Sequence, residues 1–268
     1  MSTENPQRAA HDDWDTHWDR YAAAASLNPA QQMRHDAVVA EIRARRGSGP
    51  LRIVDLGSGQ GDLLVKLRAA FPEAELLGLE LSHSGVEISR AKVPDATLLV
   101  ADLFSPPAEL QRFAGWATHA VCSEVLEHVD SPEAFLRAAS VCLGDDCAVV
   151  VTVPSGPMSA FDRHIGHRQH FTRDSIAAVF HAAGYAVERV RMAGFPFFNL
   201  YRLTVIARGK RLTADIEQRA DRGPGGLAAA AMAVYRFLFR FNTADSRFGW
   251  QVIAIGRKPR VQSGPGQA

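Results

Sequence analysis

From Leu51 onward the chain alternates between short apolar runs and helical patterns, and this alternation restricts the fold more than any other feature. The runs LRIVDLG (51–57), AELLGLE (74–80), ATLLVAD (96–102), THAVCSE (118–124) and CAVVVTVP (147–154) suit buried strands. Helical segments separate them near 61–71, 83–92, 107–114 and 131–143. Strand–helix alternation predicts a parallel sheet covered by helices on both faces. After a polar loop (154–171), TRDSIAAVFHAAGY reads as a capped helix stopped by Gly184, and AVERVRMAG as a further strand. WQVIAIGRK near the C-terminus supplies the last one. The expectation is an α/β fold with a seven-stranded, mostly parallel sheet.

The flanking regions read differently. DDWDTHWDRYAAAA places Trp14, Trp18 and Tyr21 on one helical stripe, and AQQMRHDAVVAEIRARR predicts a second helix. The chain divides into an N-terminal helical cap (1–49), a core (50–193), an apolar insertion or lid (194–246), a last core strand (247–258) and a disordered tail (259–268). The polar N-terminus has no apolar core of a signal peptide, and no long uncharged apolar stretch suits a spanning helix. Cys122, Cys142 and Cys147 lack ligand or disulfide spacing and read as buried thiols in a reducing compartment. The expected location is the cytoplasm. A formal net charge of +1 argues against a global electrostatic grip on nucleic acid.

The first strand ends in VDLGSGQGD (54–62), a glycine turn that opens a helix. Glycines let backbone approach a ligand, and the helix N-terminus offers free N–H groups. The spacing is G-x-G-x-G, not the G-x-G-x-x-G of a dinucleotide site, which disfavours a dehydrogenase. Asp55 precedes the turn, Glu80 ends the second run and Asp102 the third. Each acid alone could be a cap or turn residue. All three at successive strand ends point to the edge where open α/β sheets bind ligands, and an acid after strand two suits a ribose diol.

VDLGSGQGD, GLELS, VADLF and CSEVLEHV together resemble the class I S-adenosylmethionine-dependent methyltransferases over residues 50–190. The resemblance implies a Rossmann-like methyltransferase sheet, preceded by helices and interrupted by a helical insertion before its last strand. It implies that Gly57, Ser58 and Gly59 pass under the methionine part of S-adenosylmethionine, that Glu80 binds both ribose hydroxyls and that Asp102 and Leu103 meet the adenine. Asp55 would orient the glycine loop or meet the methionine amine through water, and Ser123 would close the methionine side. NPAQQMR is similar to a segment of ubiquinone-pathway O-methyltransferases whose arginine contacts the cofactor carboxylate, which implies that role for Arg34.

In SEVLEHV (123–129), a helical turn would put Glu124, Glu127 and His128 at i, i+3 and i+4 on one face. Methyl transfer to a hydroxyl requires loss of a proton, to a general base or with the help of a metal. Two carboxylates and an imidazole suit Mg²⁺, Mn²⁺, Fe²⁺ or Zn²⁺. Downstream, FDRHIGHRQHFT spaces His164, His167 and His170 three apart. The motif resembles the Glu-x-x-Glu-His of ubiquinone-pathway enzymes and of small-RNA 2′-O-methyltransferases, in which a later His completes a metal site. That resemblance implies His167 as fourth ligand, with Glu124 and His128 as catalytic groups. The alternative is a metal-free site in which Glu124 caps a turn and His128 contacts substrate or backbone.

The insertion is rich in aromatic and aliphatic residues, with Arg236 and Arg240 at i, i+4. It reads as a lid or homodimer contact, or else as a surface for a lipidic acceptor or a membrane. The expected function is O-methylation of a small or lipidic hydroxylated acceptor. The alternatives are metal-free N- or C-methylation and a non-catalytic S-adenosylmethionine-binding protein.

Overall fold

The computed structural model describes residues 28–218 and 226–260, together with Trp14, Asp15 and Trp18. Tyr21 of the aromatic stripe and residues 261–268 lie outside the described residues. Helix α1 (Pro29–Arg45) starts at Asn28, whose side chain accepts the Ala30 N–H, with proline at its first position. Then follow β1 (Arg52–Leu56), α2 (Asp62–Ala70), β2 (Glu75–Glu80), α3 (His83–Lys92) and β3 (Thr97–Val100). Strand β4 (Ala117–Ser123), α4 (Pro132–Ala139) and β5 (Leu143–Pro154) continue the alternation. The expected helix near 107–114 is a 3₁₀ segment, Ala108–Phe113. The segment expected as loop contains a short helix, α5 (Ala160–His164), because Ser159 and Asp162 form a capping box. Helix α6 (Arg173–Ala182), β6 (Ala186–Ala193), α7 (Phe197–Gln218), α8 (Gly226–Leu238) and β7 (Gln251–Arg257) complete the order. Helix α7 bends at Gly209, whose backbone leaves the helical region.

The strands form one seven-stranded sheet in the order β3-β2-β1-β4-β5-β7-β6. All neighbours are parallel except β7, which runs antiparallel to β5 and β6. Successive strand residues point to opposite faces, so the core has two layers. Val54, Ala120 and Val149 belong to the layer with Phe135, Leu136 and Phe180 of α4 and α6. Ile53, Val121 and Val150 belong to the layer with Val38, Ile42, Leu64 and Val86 of α1, α2 and α3. The three cysteines are buried free thiols, and burial raises each above the usual thiol range.

The order reverses between β1 and β4, so connections diverge there and leave a crevice at the strands' C-terminal ends. Two contacts hold flanking elements against this edge. A small aromatic cluster joins α1 to the α7–α8 hairpin through Ala30, Phe198, Phe239 and Tyr201, and the Tyr201 hydroxyl donates to Asn28 Oδ1 at 3.1 Å. On the other end of α1, buried Glu41 accepts from Arg45 at 2.6 Å, from Arg189 at 2.8 Å and from Arg191.

Glu41 is the acid on which three arginines converge, so its loss leaves their charges close together and part-buried. The Glu41→Gln variant is expected to lose about 2–3 kcal/mol of unfolding free energy, measured by urea denaturation at neutral pH, with the loss reduced when Arg191 is also replaced by Met.

Candidate active site

Strand β1 ends in the glycine turn. Gly57 and Gly59 have φ of 77° and 53°, which favours glycine. The Gly57 and Ser58 N–H groups both donate to the Leu79 carbonyl, at 2.8 and 3.0 Å. A Cβ at Gly57 would lie 2.6 Å from the Val125 side chain, and one at Gly59 would lie 2.6 Å from the Trp18 ring. Glu80 closes the turn from β2: Oε2 accepts the Gly59 N–H at 2.7 Å and Oε1 accepts the Ser82 N–H at 2.9 Å. One cleft is lined by Arg34, Asp55, Gly57, Ser58, Gly59, Ser123 and Glu124, with Trp18 at its wall. Asp102 and Leu103 are not among its lining residues. Asp102 follows β3 by two residues and accepts the Phe104 N–H, while the Leu103 side chain is buried in the core.

Asp55 Oδ2 and Ser58 Oγ are buried with no hydrogen-bond partner among the described residues. Together with the side-chain-free glycine cradle, these orphaned groups fit a polar ligand such as the methionine part of S-adenosylmethionine. Burial, and secondarily Glu80, push the Asp55 carboxyl up to about 7. Burial likewise raises Glu80, against the pull of its backbone donors.

The two glutamates of SEVLEHV separate, which corrects the expectation of three ligands on one helical face. Glu124 has φ of 58° and stands outside any helix; only Leu126–His128 turn, as a 3₁₀ segment. Its carboxylate lies 3.5 Å from Arg34 Nε and accepts from Thr152 Oγ1 at 3.1 Å and Gln251 Nε2 at 2.9 Å. Glu124 is thus held at the cleft beside the glycine turn. Glu127 points elsewhere. It is fully buried, and neither carboxylate oxygen has a hydrogen bond among the described residues. Burial and then the Glu124 charge push its carboxyl well above the usual range.

Glu127, His128 and His167 each offer one ligand atom, and these atoms lie within 4.8 Å of one another. The rings of His128 and His167 meet edge to face at 4.8 Å, and the Trp14 ring meets His128 at 4.9 Å. The connection to His170 fixes a tautomer. His170 Nδ1 lies 3.0 Å from the Gly156 carbonyl, which only accepts, so that nitrogen carries the proton. In the neutral ring Nε2 then accepts from His167 Nδ1, 3.3 Å away. His167 Nε2 keeps its lone pair and lies 4.0 Å from Glu127 Oε1. Burial and then the neighbouring His128 push His167 well below the usual imidazole range, so it is neutral. Beside it, Asp162 accepts from Ser159 and from Arg202 Nη2 at 2.9 Å. Burial opposes its charge, but Arg202 and Ser159 hold it below the usual carboxylate range. His164 is exposed at the end of α5, away from this group.

Trp18, Gln251, Asp162 and His170 take parts that the sequence reading did not assign. Trp18 packs against Gly59 and Gly85, and Asp15 accepts from Ser82 Oγ at 2.6 Å. The Ser159-x-x-Asp162 cap was a legible signal; the position of Gln251 was not, since it depends on the β7–β5 register that pairs it with Pro154.

Asp55 gives this site a pH signature. Its carboxyl moves from an ordinary 3.8 to about 7 on folding. The folded state therefore binds more protons in that window, and stability falls as pH rises through it. The ligand-free Asp55→Asn variant is expected to match the parent at acid pH and to exceed it increasingly up to about pH 8, by on the order of 4 kcal/mol. Urea titrations across that range check it; parallel curves would refute it.

Comparison with known proteins agrees with this architecture. The profile of a family described as a methyltransferase domain matches residues 30–190, more than half of the chain. Trans-aconitate 2-methyltransferase of Methylobacterium radiotolerans is 35% identical over 83 residues, covering 29% of this chain and 32% of that enzyme. The chain thus matches about a third of that relative's length. Haemonchus contortus phosphoethanolamine N-methyltransferase 2, solved with phosphomonomethylethanolamine and S-adenosylhomocysteine, superposes with a TM-score of 0.61 at 15% identity, over 97% of this chain and 62% of that one. The [4+2]-cyclase SpnF superposes with a TM-score of 0.62 at 19% identity, over 97% of this chain and all of that one, 100%. At such identities the superpositions establish the fold, whereas the profile match establishes descent: the chain belongs to the methyltransferase-domain family, with the class I S-adenosylmethionine-dependent fold.

Proposed function

We propose that this protein transfers the methyl group of S-adenosylmethionine to a hydroxyl of a small or lipidic acceptor, with a divalent cation held by Glu127, His128 and His167. One observation carries the cation: a fully buried carboxylate without a hydrogen bond, facing the lone pair of a neutral imidazole. Burying an unpaired carboxylate is costly, and a coordinated cation or a bound proton removes the cost. A cation bound there would lower the pKa of an acceptor hydroxyl. S-adenosylmethionine supplies an already activated methyl group, so the chain's main task is alignment. In this reading Arg34 meets the carboxylate of the cofactor's methionine part, Asp55 its amine, Glu80 the ribose, and Ser123 closes the methionine side. Asp102 and Leu103 remain the candidates for the adenine end. Glu124 holds Arg34 in place rather than acting as a metal ligand. His170 fixes the tautomer in which His167 can act as ligand.

A second reading follows from the raised Glu127. Protonated, it is a neutral carboxyl beside His167 Nε2, 4.0 Å away, and the site then works without metal on a nitrogen or carbon acceptor. The relative with a carboxylate substrate in its name supports a small-molecule acceptor in either case. Residues 194–246 would wall the acceptor side, supported by the Arg202–Asp162 contact at 2.9 Å.

The tests separate cofactor from cation. Glu80→Ala is expected to lose about 1.5–3 kcal/mol of S-adenosylmethionine affinity by calorimetry while remaining folded. His167→Ala is expected to abolish high-affinity Mn²⁺ or Zn²⁺ binding, read by calorimetry and elemental analysis, and to leave cofactor affinity within about twofold. Full turnover in excess chelator, with no bound metal, would select the metal-free reading. Deleting residues 210–245 should keep cofactor binding and remove activity; full activity on the acceptor would exclude the lid.

A further inference from the structure

Helix α8 has two apolar faces and packs only one of them. On the inner face Tyr235 meets Tyr201 at 5.2 Å, and the following Phe239 meets Phe198 at 5.9 Å. On the outer face Val234, Phe237 and Phe241 recur at i, i+3 and i+7 and are 57%, 55% and 60% exposed. Among the described residues the large exposed hydrophobics are concentrated here: only Val65 and Phe104 lie outside the stretch from Phe195 to Phe248. Single exposed apolar side chains are ordinary, but a cluster marks an interaction surface.

Charge selects the occupant. Arg236 and Arg240 are exposed beside the outer face, and the Arg240 guanidinium sits 5.9 Å from the Phe237 ring. Arg247 lies 4.6 Å from the Phe248 ring. The sequence has no Asp or Glu from Gly226 to Ala244, and none from Gly194 to Thr213, where Arg202, Arg208, Lys210 and Arg211 occur. The whole chain carries only +1, so this basicity is local. A two-fold contact between copies through this face would bring like charges together. Aromatic rings flanked by arginines, with no carboxylate from Gly226 to Ala244, instead match an anionic lipid interface. There rings enter the acyl boundary while guanidinium groups reach phosphates.

We infer that the outer face of α8, with Phe241, docks this protein peripherally on a membrane surface rich in anionic lipid. The inference does not depend on the proposed reaction. The same hairpin meets Asp162, beside His170, through Arg202.

The test uses the full chain and sedimentation with phosphatidylcholine vesicles, with and without phosphatidylglycerol. The parent is expected to bind the mixed vesicles and to bind phosphatidylcholine alone much more weakly. Replacing both arginines, Arg236→Gln with Arg240→Gln, should lower partitioning into mixed vesicles about thirtyfold, close to fivefold for each basic residue. Replacing both rings, Phe237→Ser with Phe241→Ser, should remove binding to either vesicle. Cofactor affinity by calorimetry should stay unchanged in both variants, which shows that they are folded. Absence of binding to mixed vesicles, or equal binding by parent and variants, would overturn the inference. So would a dimer in solution that the double Phe variant dissociates, because the face would then be a contact between copies.

Discussion

The Glu124 carboxylate ties together the parts that the site needs. It lies immediately after β4 and takes contacts from Arg34 of α1, Thr152 of β5 and Gln251 of β7. These partners come from distant parts of the sequence, and they converge on one half-buried carboxylate. A non-glycine residue in the left-handed region costs about 1–2 kcal/mol, and these partners offset that cost. The Glu124 carboxylate lines the cleft at the glycine turn, whereas Glu127 groups with His128 and His167. Without Glu124, Arg34 would lose its ion pair beside the cleft, and α1 would lose that link to the end of β4.

Separating the two glutamates creates two electrostatic environments a few residues apart. Glu124 has a cation and polar donors. Glu127 accepts no hydrogen bond from a described residue, and the nearby Glu124 charge adds to the penalty of its burial. A neutral His167, held in one tautomer through His170 and the Gly156 carbonyl, completes a pocket of unsatisfied lone pairs. Such a pocket favours a positive ion or a proton, which is why the proposed chemistry centres on it. The cleft at the glycine turn and this pocket share an edge of the sheet, yet Glu80 braces the first and His170 the second. Variants in one should therefore leave binding at the other intact.

The fold itself allows more than one chemistry, since a cyclase and an N-methyltransferase share it. What is particular to this chain lies around the sheet edge. The α7–α8 hairpin packs on the start of α1 with one face and presents aromatic and basic side chains on the other. Trp14 and Trp18 reach the two halves of the site from the N-terminal side, against His128 and Gly59 respectively.

The sequence by itself determined the strands, the helices between them and the glycine turn, because these depend on short-range periodicity and backbone freedom. Gly57 and Gly59 occupy positive φ, and the alternating strand residues divide into two core layers, both features of local pattern. A helical spacing of Glu124, Glu127 and His128 was also legible, but tertiary structure overrode it. Glu124 obtains better partners from α1, β5 and β7 than a helical turn would give it, and the backbone follows. The register that brings Gln251 opposite Pro154, the contact between Arg202 and Asp162 and the face that α8 leaves uncovered were likewise decided only in three dimensions. Each depends on which distant surface arrives first at a given polar or apolar group, and no spacing within one segment encodes that.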